Sequence, residues 1–495
     1  MIRRISGLVG RVSFRQLITH PRAELGRILA WIARRLDRLA KVTAHGRPDL
    51  PPWLRDEMIA LASIEHGLLG SGGDTDHYRH YGIPMVTKPG ELYRRILAEV
   101  GVDDYSHVLI LPWLVHGGAD RGALYHLQAW TETLPAAKIL VLLSDATESP
   151  WIDRVPAGVK VVPFGRIVGD MAMEGRVKLL TRLLVQMRPA VIHTINSRVA
   201  WESFRTSGLA LSQRSRLFAS LFCDDHDGNM VPVGYARSYL RSCYTHLTAI
   251  FCDNTVYPEK WALELGVPRK AFTVLRFPYD RPVIEKEDAF GAQGTPRVLW
   301  AGRFDRQKRP DILLAVARAM PTVGFDVHGV SVLGPEHPAM RALHALPNVT
   351  VHGPFARFED IVTPAHVGYL FTTSWEGLPT ILLDAAAAGL PIVAPAVGGI
   401  VDLIERAWLV EDPDDADAFV QRLQQLIAEP ELRRSRRRQQ YAALATGRAW
   451  SDFIHTLRGV EGYLPETTPM FLNTSQQGSA NLLSDGDCSP RPLHR

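Results

Sequence analysis

An acid, a Gly-Leu-Pro turn and a second acid eight positions after the first stand together in Glu376-Gly377-Leu378-Pro379-Thr380-Ile381-Leu382-Leu383-Asp384. A run with strand character, Val367 to Thr372, precedes the turn, and a helical run, Thr380 to Ala388, contains the second acid. A strand that feeds a helix through a short turn aims backbone N–H groups outward at the helix N-terminus. Those donors and the helix dipole suit an anionic group such as a phosphate. Carboxylates beside such a site fit sugar hydroxyls, because an ionised carboxylate only accepts hydrogen bonds and a hydroxyl donates them.

Upstream, Gly302-Arg303-Phe304-Asp305-Arg306-Gln307-Lys308 also follows a strand and precedes a helix. In doubly wound sheets ligands sit outside the carboxyl ends of the strands, so Arg303 and Lys308 are expected in the same crevice as the 374–384 turn. Arg binds phosphate oxygens in a bidentate manner and Lys supplies a point charge, so the pair suits a departing diphosphate.

Nearer the N-terminus, Gly117-Gly118 follows a strand and allows close backbone approach to a ligand. Asp120 and Arg121 come next, at a helix start, where they could face a second substrate. The loop Cys223-Asp224-Asp225-His226-Asp227-Gly228 ends another strand. Its carboxylates and histidine suit a metal, a base, or simple capping of a loop. His193 and Asn196 end the preceding strand and form a second candidate wall.

The elements that must position these residues alternate between strand and helix. Strand candidates are His107 to Val115, Lys138 to Leu143, Gly158 to Pro163, Ala190 to Thr194, Leu217 to Phe222, Ala249 to Cys252 and Phe272 to Leu275. Helical runs at Ala119 to Leu134, Arg176 to Met187 and Tyr257 to Leu265 separate them. The pattern breaks over Asp280 to Thr295 and restarts with strands at Arg297 to Ala301, Gly324 to Gly329, Val349 to His352 and Pro391 to Ala394. Helices are expected at Pro310 to Met320, Asp414 to Ile427 and Pro430 to Leu444. Alternation of this kind predicts two α/β domains in series, each a doubly wound parallel sheet, at 106–285 and 286–446. A final helical stretch, 447–465, contains Trp450, and 466–495 is polar, aperiodic and expected to be disordered.

The chain has 495 residues, 22% of them charged, and a net charge of +4. Residues 1–48 carry eleven Lys/Arg against Glu24 and Asp37, a local charge of +9, so the remainder is acidic. Leu25, Ile28, Leu29, Ile32, Leu36 and Leu39 recur there at helical spacing. The segment reads either as a surface helix or as an interfacial helix on an anionic membrane over residues 1–45. Residues 49–105 read as a mixed extension with helices at Trp53 to His66 and Pro89 to Val100 and a Gly-rich loop at Gly67 to Asp76. The four cysteines, Cys223, Cys243, Cys252 and Cys488, have no zinc or disulfide-framework spacing. With no long apolar run and no signal-peptide pattern, a cytoplasmic protein is expected, peripheral on the inner membrane face if the basic helix binds lipid. A nucleic-acid partner is disfavoured, because the basic charge sits in one terminal segment without a readout motif.

The two motifs in this order resemble the retaining glycosyltransferases of the family-4 type, which have the GT-B fold. The resemblance runs from about Ser106 to Leu464 and is strongest over 297–404. The family's second acid is usually Glu; here it is Asp384, one methylene shorter. The resemblance implies a nucleotide-diphosphate sugar donor, with Arg303 and Lys308 at the phosphates and Glu376 at the transferred sugar. It places Gly377, Leu378, Pro379, Thr380 and Ile381 against sugar and diphosphate, Asp384 at the ribose, Phe355 near the base and Gly118 beside the diphosphate. It puts a carbohydrate or glycolipid acceptor near Gly117, Asp120, Arg121, His193, and Asp225 or His226. It implies transfer with retention, in polysaccharide or glycolipid assembly, without metal or other cofactor, and a last helix that returns to the first domain. The alternatives are an inactive GT-B assembly or regulatory module and another GT-B enzyme such as a sugar-nucleotide epimerase.

Overall fold

The computed structural model describes residues 32, 33, 36, 52–64, 88–101, 103–115, 117–279, 294–331 and 337–464. Nearly all of the basic segment 1–48, the Gly-rich loop Gly67 to Asp76, most of the 280–295 break and the tail 466–495 lie outside these residues. Ile32 and Leu36, expected on the apolar stripe of the basic segment, are helical and exposed.

The chain divides into two units, 1–98 and 99–495. In the first, Pro52–Ile64 is a helix, as expected, and it exposes Ile59, Leu61 and Ile64. The helix Lys88–Val100 begins in the first unit and buries Leu92, Tyr93, Ile96 and Val100 along one stripe. No described helix is long and apolar enough to cross a membrane.

The second unit holds two parallel sheets. Its first half supplies β1 (His107–Leu111), β2 (Ile139–Leu143), β3 (Lys160–Val162), β4 (Val191–Ile195), β5 (Arg216–Ser220), β6 (Asp225–His226), β7 (Pro232–Val233), β8 (Leu247–Cys252) and β9 (Phe272–Val274). Seven of these form one sheet in the order β3-β2-β1-β4-β5-β8-β9, and β6 and β7 make a small antiparallel hairpin. Every residue of β1, β2 and β4 is buried. Continuous apolar burial is what a parallel strand shows when helices cover both faces of its sheet. The strand expected over His107 to Val115 stops at Leu111, because Pro112 has no N–H to give the ladder.

The second half supplies β10 (Arg297–Ala301), β11 (Gly324–His328), β12 (Val349–His352), β13 (His366–Leu370) and β14 (Ile392–Val393), in the order β12-β11-β10-β13-β14. All its pairings are parallel. Strand order reverses between β1 and β4 in one sheet and between β10 and β13 in the other. These are the two points where a doubly wound sheet opens a crevice.

Four helices of this unit escape the sequence reading: Arg198–Ser212, Tyr235–Cys243, Ala339–His344 and the short Phe164–Val168. The first contains Ser203, Thr206, Ser207 and Gly208, which lower its helical signal. Gly208 is there for close approach: a Cβ would sit 2.8 Å from the His246 ring. Ser197 starts the helix by accepting the Ala200 N–H at 3.3 Å.

The last described helix, Trp450–Arg458, joins the first sheet's core. Phe453, Ile454, Leu457, Val460, Tyr463 and Leu464 are buried in one cluster with Leu109, Trp130, Val141 and Phe218. Trp450 Nε1 donates to Glu132 at 2.9 Å. Tyr463 Oη lies 2.7 Å from His126 Nδ1 and 2.8 Å from His193 Nδ1, tying the segment to the helix after β1 and to β4.

Candidate active site

The loop Gly302 to Lys308 is fastened to the end of β13 by hydrogen bonds. Thr372 Oγ1 donates to the Lys308 carbonyl at 2.6 Å and accepts from Trp300 Nε1 at 2.9 Å. Ser374 N donates to the Gln307 carbonyl at 2.9 Å, and Gln307 Nε2 donates to the Trp375 carbonyl at 2.8 Å. Two loops from neighbouring strands are thus tied to each other. Lys308 Nζ pairs with Glu376 Oε1, which also accepts from Gln307 and Thr373, each at 3.2 Å. Glu376 is 8% exposed, and a buried carboxylate needs such partners.

The helix Thr380–Ala387 follows without a side-chain cap at its N-terminus. Its preceding turn meets the first domain directly. Asp253, one residue past β8, accepts the Leu378 N–H at 3.0 Å. A Cβ on Gly377 would lie 3.0 Å from the Phe222 carbonyl oxygen and 3.1 Å from the Asp253 carboxylate. Asp402 accepts from Thr255 N at 2.7 Å and Thr255 Oγ1 at 2.6 Å. Arg306 donates to the His226 and Asp227 carbonyls and lies over the Trp375 ring. The cleft between the two sheets is therefore bridged at several points.

Among the described residues two cavities line this cleft. The smaller, about 220 Å³, is lined by Arg303, Lys308, Glu376 and the turn Gly377 to Ile381, with Gly118, Phe222, Cys223 and Asp253 facing them. The larger, about 690 Å³, lies between the first-domain strand ends and Arg303, Arg306 and Trp375. Its first-domain wall includes Trp113, Asp120, Asp145, Asn196, Asp225 and Tyr235.

Burial dominates the electrostatics of the first-domain groups. It raises the Asp120 carboxyl to about 6 and the Asp253 carboxyl to about 7. It also pushes the Cys223 thiol well up and the Tyr235 phenol to about 12, while His226 is held below its usual value. Among the described residues no group of three or more His, Cys, Asp or Glu is arranged to hold a metal ion.

Residues 295–429 match the model of the family described as "Glycosyl transferases group 1". Among solved structures, the apo form of the lipopolysaccharide outer core galactosyltransferase WaaB is similar at TM-score 0.54 and 15% identity, over 71% of this chain and 99% of that one. HepE from Anabaena, solved in complex with UDP and glucose, is similar at TM-score 0.55 and 15% identity, over 71% and 98%. Sucrose-phosphate synthase from Thermosynechococcus elongatus gives 0.54 and 18%, over 72% and 98%. The fold is GT-B. No curated protein matches the sequence.

Within this GT-B cleft the structure brings together Arg303, Lys308, Glu376, Gly377, Leu378, Pro379, Thr380, Ile381 and Gly118 around the smaller cavity. Gly118 faces Thr380, whose Cγ2 would be 3.5 Å from an added Cβ. Asp120 and Asp225 line the larger cavity. Gly117 caps the helix Gly118–Thr131. Five residues stand elsewhere. His193 is fully buried and bonded to Tyr463 and, at 2.9 Å, to Ser220, which places it in the core and not on a wall of the cleft. Position along the strand explains this: His193 is the middle residue of β4, whereas Ile195 and Asn196, at and just past its end, reach the cavity. His226 packs on Trp375 with ring centroids 4.8 Å apart. Phe355 packs edge-on to His328, 6.0 Å away, outside the lining of either cavity. Asp384 pairs with Arg121 at 3.4 Å, and neither lines a cavity. Within the 223–228 loop, Asp224 is a structural group, accepting from Trp261 Nε1 at 2.8 Å and from Arg237 at 2.6 Å.

The sequence reading missed Trp113, Asp145, Tyr235, Asp253 and Gln307. Four of these had a signal. Trp113 falls inside the strand expected over His107 to Val115, Asp145 and Asp253 fall one or two residues beyond expected strands, and Gln307 sits inside the Arg303–Lys308 motif.

Proposed function

We propose that the protein transfers a sugar from a nucleotide-diphosphate donor to a hydroxyl of a carbohydrate or glycolipid acceptor, with retention at the anomeric carbon. The observation that carries this reading is the smaller cavity. It gathers two cations, the buried carboxyl groups of Glu376 and Asp253 and the N-terminal turn of a helix within about 220 Å³. Cations and N–H groups suit the diphosphate, and the Glu376 carboxylate suits sugar hydroxyls. HepE, which shares the fold, is solved with UDP and glucose, so uridine diphosphate sugars are the first donors to test.

In this reading the bond between the anomeric carbon and the bridging phosphate oxygen breaks. Negative charge grows on the diphosphate, where Arg303, Lys308 and the Gly377–Ile381 turn stabilise it as it forms. The acceptor oxygen bonds to the same face of the anomeric carbon and its proton passes to the leaving phosphate. Arg303 and Lys308 take the place that a divalent cation would fill, so transfer proceeds without added metal. Asp384 takes the ribose after Arg121 gives up its hold on the carboxylate. The role in polysaccharide or glycolipid assembly, and the family-4 assignment, belong to the same proposal.

The experiment is donor turnover by Arg303→Ala. Removing one donor to developing charge costs about 10²–10³ in rate. The expected result is a loss of that size with circular dichroism and Tm unchanged. Full activity in the variant overturns the assignment.

A further inference from the structure

Resting on the glycosyltransferase reading, we propose that the acceptor is a saccharide with no phosphate or carboxylate near the hydroxyl that receives the sugar. It is held in the larger cavity by Asp120, Asp145 and Asp225 and by the rings of Trp113 and Tyr235.

At about 690 Å³ the cavity is of the size that takes small ligands, and it adjoins the smaller one through Arg303 and Gln307, which line both. Its first-domain wall carries three carboxylates and no Lys or Arg. With Asp305, the whole lining holds four carboxylates against two cations, Arg303 and Arg306. Arg303 Nε donates to Asp305 at 2.7 Å and Nη2 to Gln307 at 2.8 Å. Arg306 is held by two backbone carbonyls of the 225–233 hairpin. An acceptor bearing its own anion would meet three like charges with no cation on that wall to answer it. In a half-enclosed cleft that repulsion is poorly screened.

A hydroxyl-rich acceptor meets the opposite situation. Each carboxylate is oriented through one oxygen: Asp120 Oδ1 by the Val115 N–H at 3.2 Å, Asp145 Oδ1 by Ser144 Oγ at 3.1 Å, and Asp225 Oδ1 by the His226 N–H at 2.8 Å. Every carboxylate has a second oxygen with which to accept from a hydroxyl. Trp113 and Tyr235 are half-buried, so their rings add apolar surface for the C–H face of a pyranose. The cavity is thus lined by fixed hydrogen-bond acceptors over rigid aromatic faces, the composition that hydroxyls and not anions require.

The test uses the full chain, the best nucleotide sugar from a donor screen, and p-nitrophenyl hexosides each paired with the matching uronide and 6-phosphate. The wild type is expected to use the neutral hexosides at least tenfold better in kcat/KM than either anionic partner. Asp225→Asn and Asp145→Asn, read separately so that one misfolded variant does not decide the matter, are expected to narrow that ratio at least threefold. A wild-type preference for the anionic member, or an unchanged ratio in both variants, overturns the proposal and leaves the donor chemistry standing. Absence of donor binding and turnover with every nucleotide sugar overturns both readings.

Discussion

Two nitrogens of the Arg121 guanidinium, on a helix of the first domain, lie 3.4 Å from Oδ2 of Asp384, on the helix that follows the acid-turn-acid stretch of the second. The side chains are 22% and 9% exposed. A pair this far from water couples the two domains more strongly than a surface pair does. Breaking a fully buried pair costs about 3–5 kcal/mol, and the partial exposure of Arg121 scales this down to about 1–3 kcal/mol. A double-mutant cycle of Arg121→Ala and Asp384→Asn, followed by urea denaturation, should return a coupling in that range. Additive effects would mean that the pair does not hold the cleft.

Lys308 answers to two demands, the buried Glu376 carboxylate and the donor phosphates. Lys308→Ala is expected to lower kcat/KM by about 10²-fold or more. It should also lower Tm, because Glu376 loses a cation in an enclosed site. Lys308→Ala with Glu376→Gln should recover Tm and leave activity lost. Recovery of activity in the double variant would remove Lys308 from the chemistry.

Asp253 gives stability a pH dependence. Burial lifts its carboxyl from 3.8 in the unfolded chain to about 7 in the fold. A raised pKa means the folded state holds the proton more tightly, so this contribution is complete below 3.8 and is lost as pH rises through about 7. Tm measured from pH 5 to 8 should fall more steeply in the wild type than in Asp253→Asn. Asp120, raised to about 6, acts in the same direction and leaves a residual slope in the variant. Parallel curves would refute the assignment of the slope to Asp253.

Gly377 has no room for a side chain between the Phe222 carbonyl and the Asp253 carboxylate. Gly377→Ala must push the turn away from the first domain. UDP affinity by calorimetry is expected to drop at least tenfold, with little change in far-ultraviolet circular dichroism. Unchanged affinity would separate the turn from the donor site.

Tyr463 bonds two buried imidazoles. Tyr463→Phe leaves the His126 and His193 nitrogens without the hydroxyl, at a cost of about 1–3 kcal/mol. Denaturation should show this loss while kcat/KM stays within twofold of the wild type. A large loss of kcat at equal stability would return His193 to the active site.

Much of the fold was legible because parallel strands buried on both faces read as unbroken apolar runs, as in His107–Leu111 and Ile139–Leu143. The donor side was legible for a related reason: its residues are close in sequence, inside two short motifs. The acceptor side is assembled from one or two residues after each of several strands, so no local pattern announces it. Trp113 and Asp145 are ordinary in sequence and gain meaning only when β1 and β2 lie side by side. His193 shows the converse. Its expected position near a strand end suggested the cleft, but β4 runs on to Ile195, which leaves the ring in mid-strand, bonded to Ser220. Asp384 and Arg121 are distant in sequence and were placed on different substrates, and only the approach of the two domains shows them paired.

The return of residues 450–464 to the first core has a consequence for synthesis and for recombination. Phe453, Leu457 and Tyr463 complete a core begun at Leu109, so the domain that starts first is finished last, after the whole second domain has left the ribosome. A chimera cut once between the domains would carry a foreign end piece into that core. Exchange of donor halves between proteins of this architecture therefore takes two crossovers, one on each side of the second sheet.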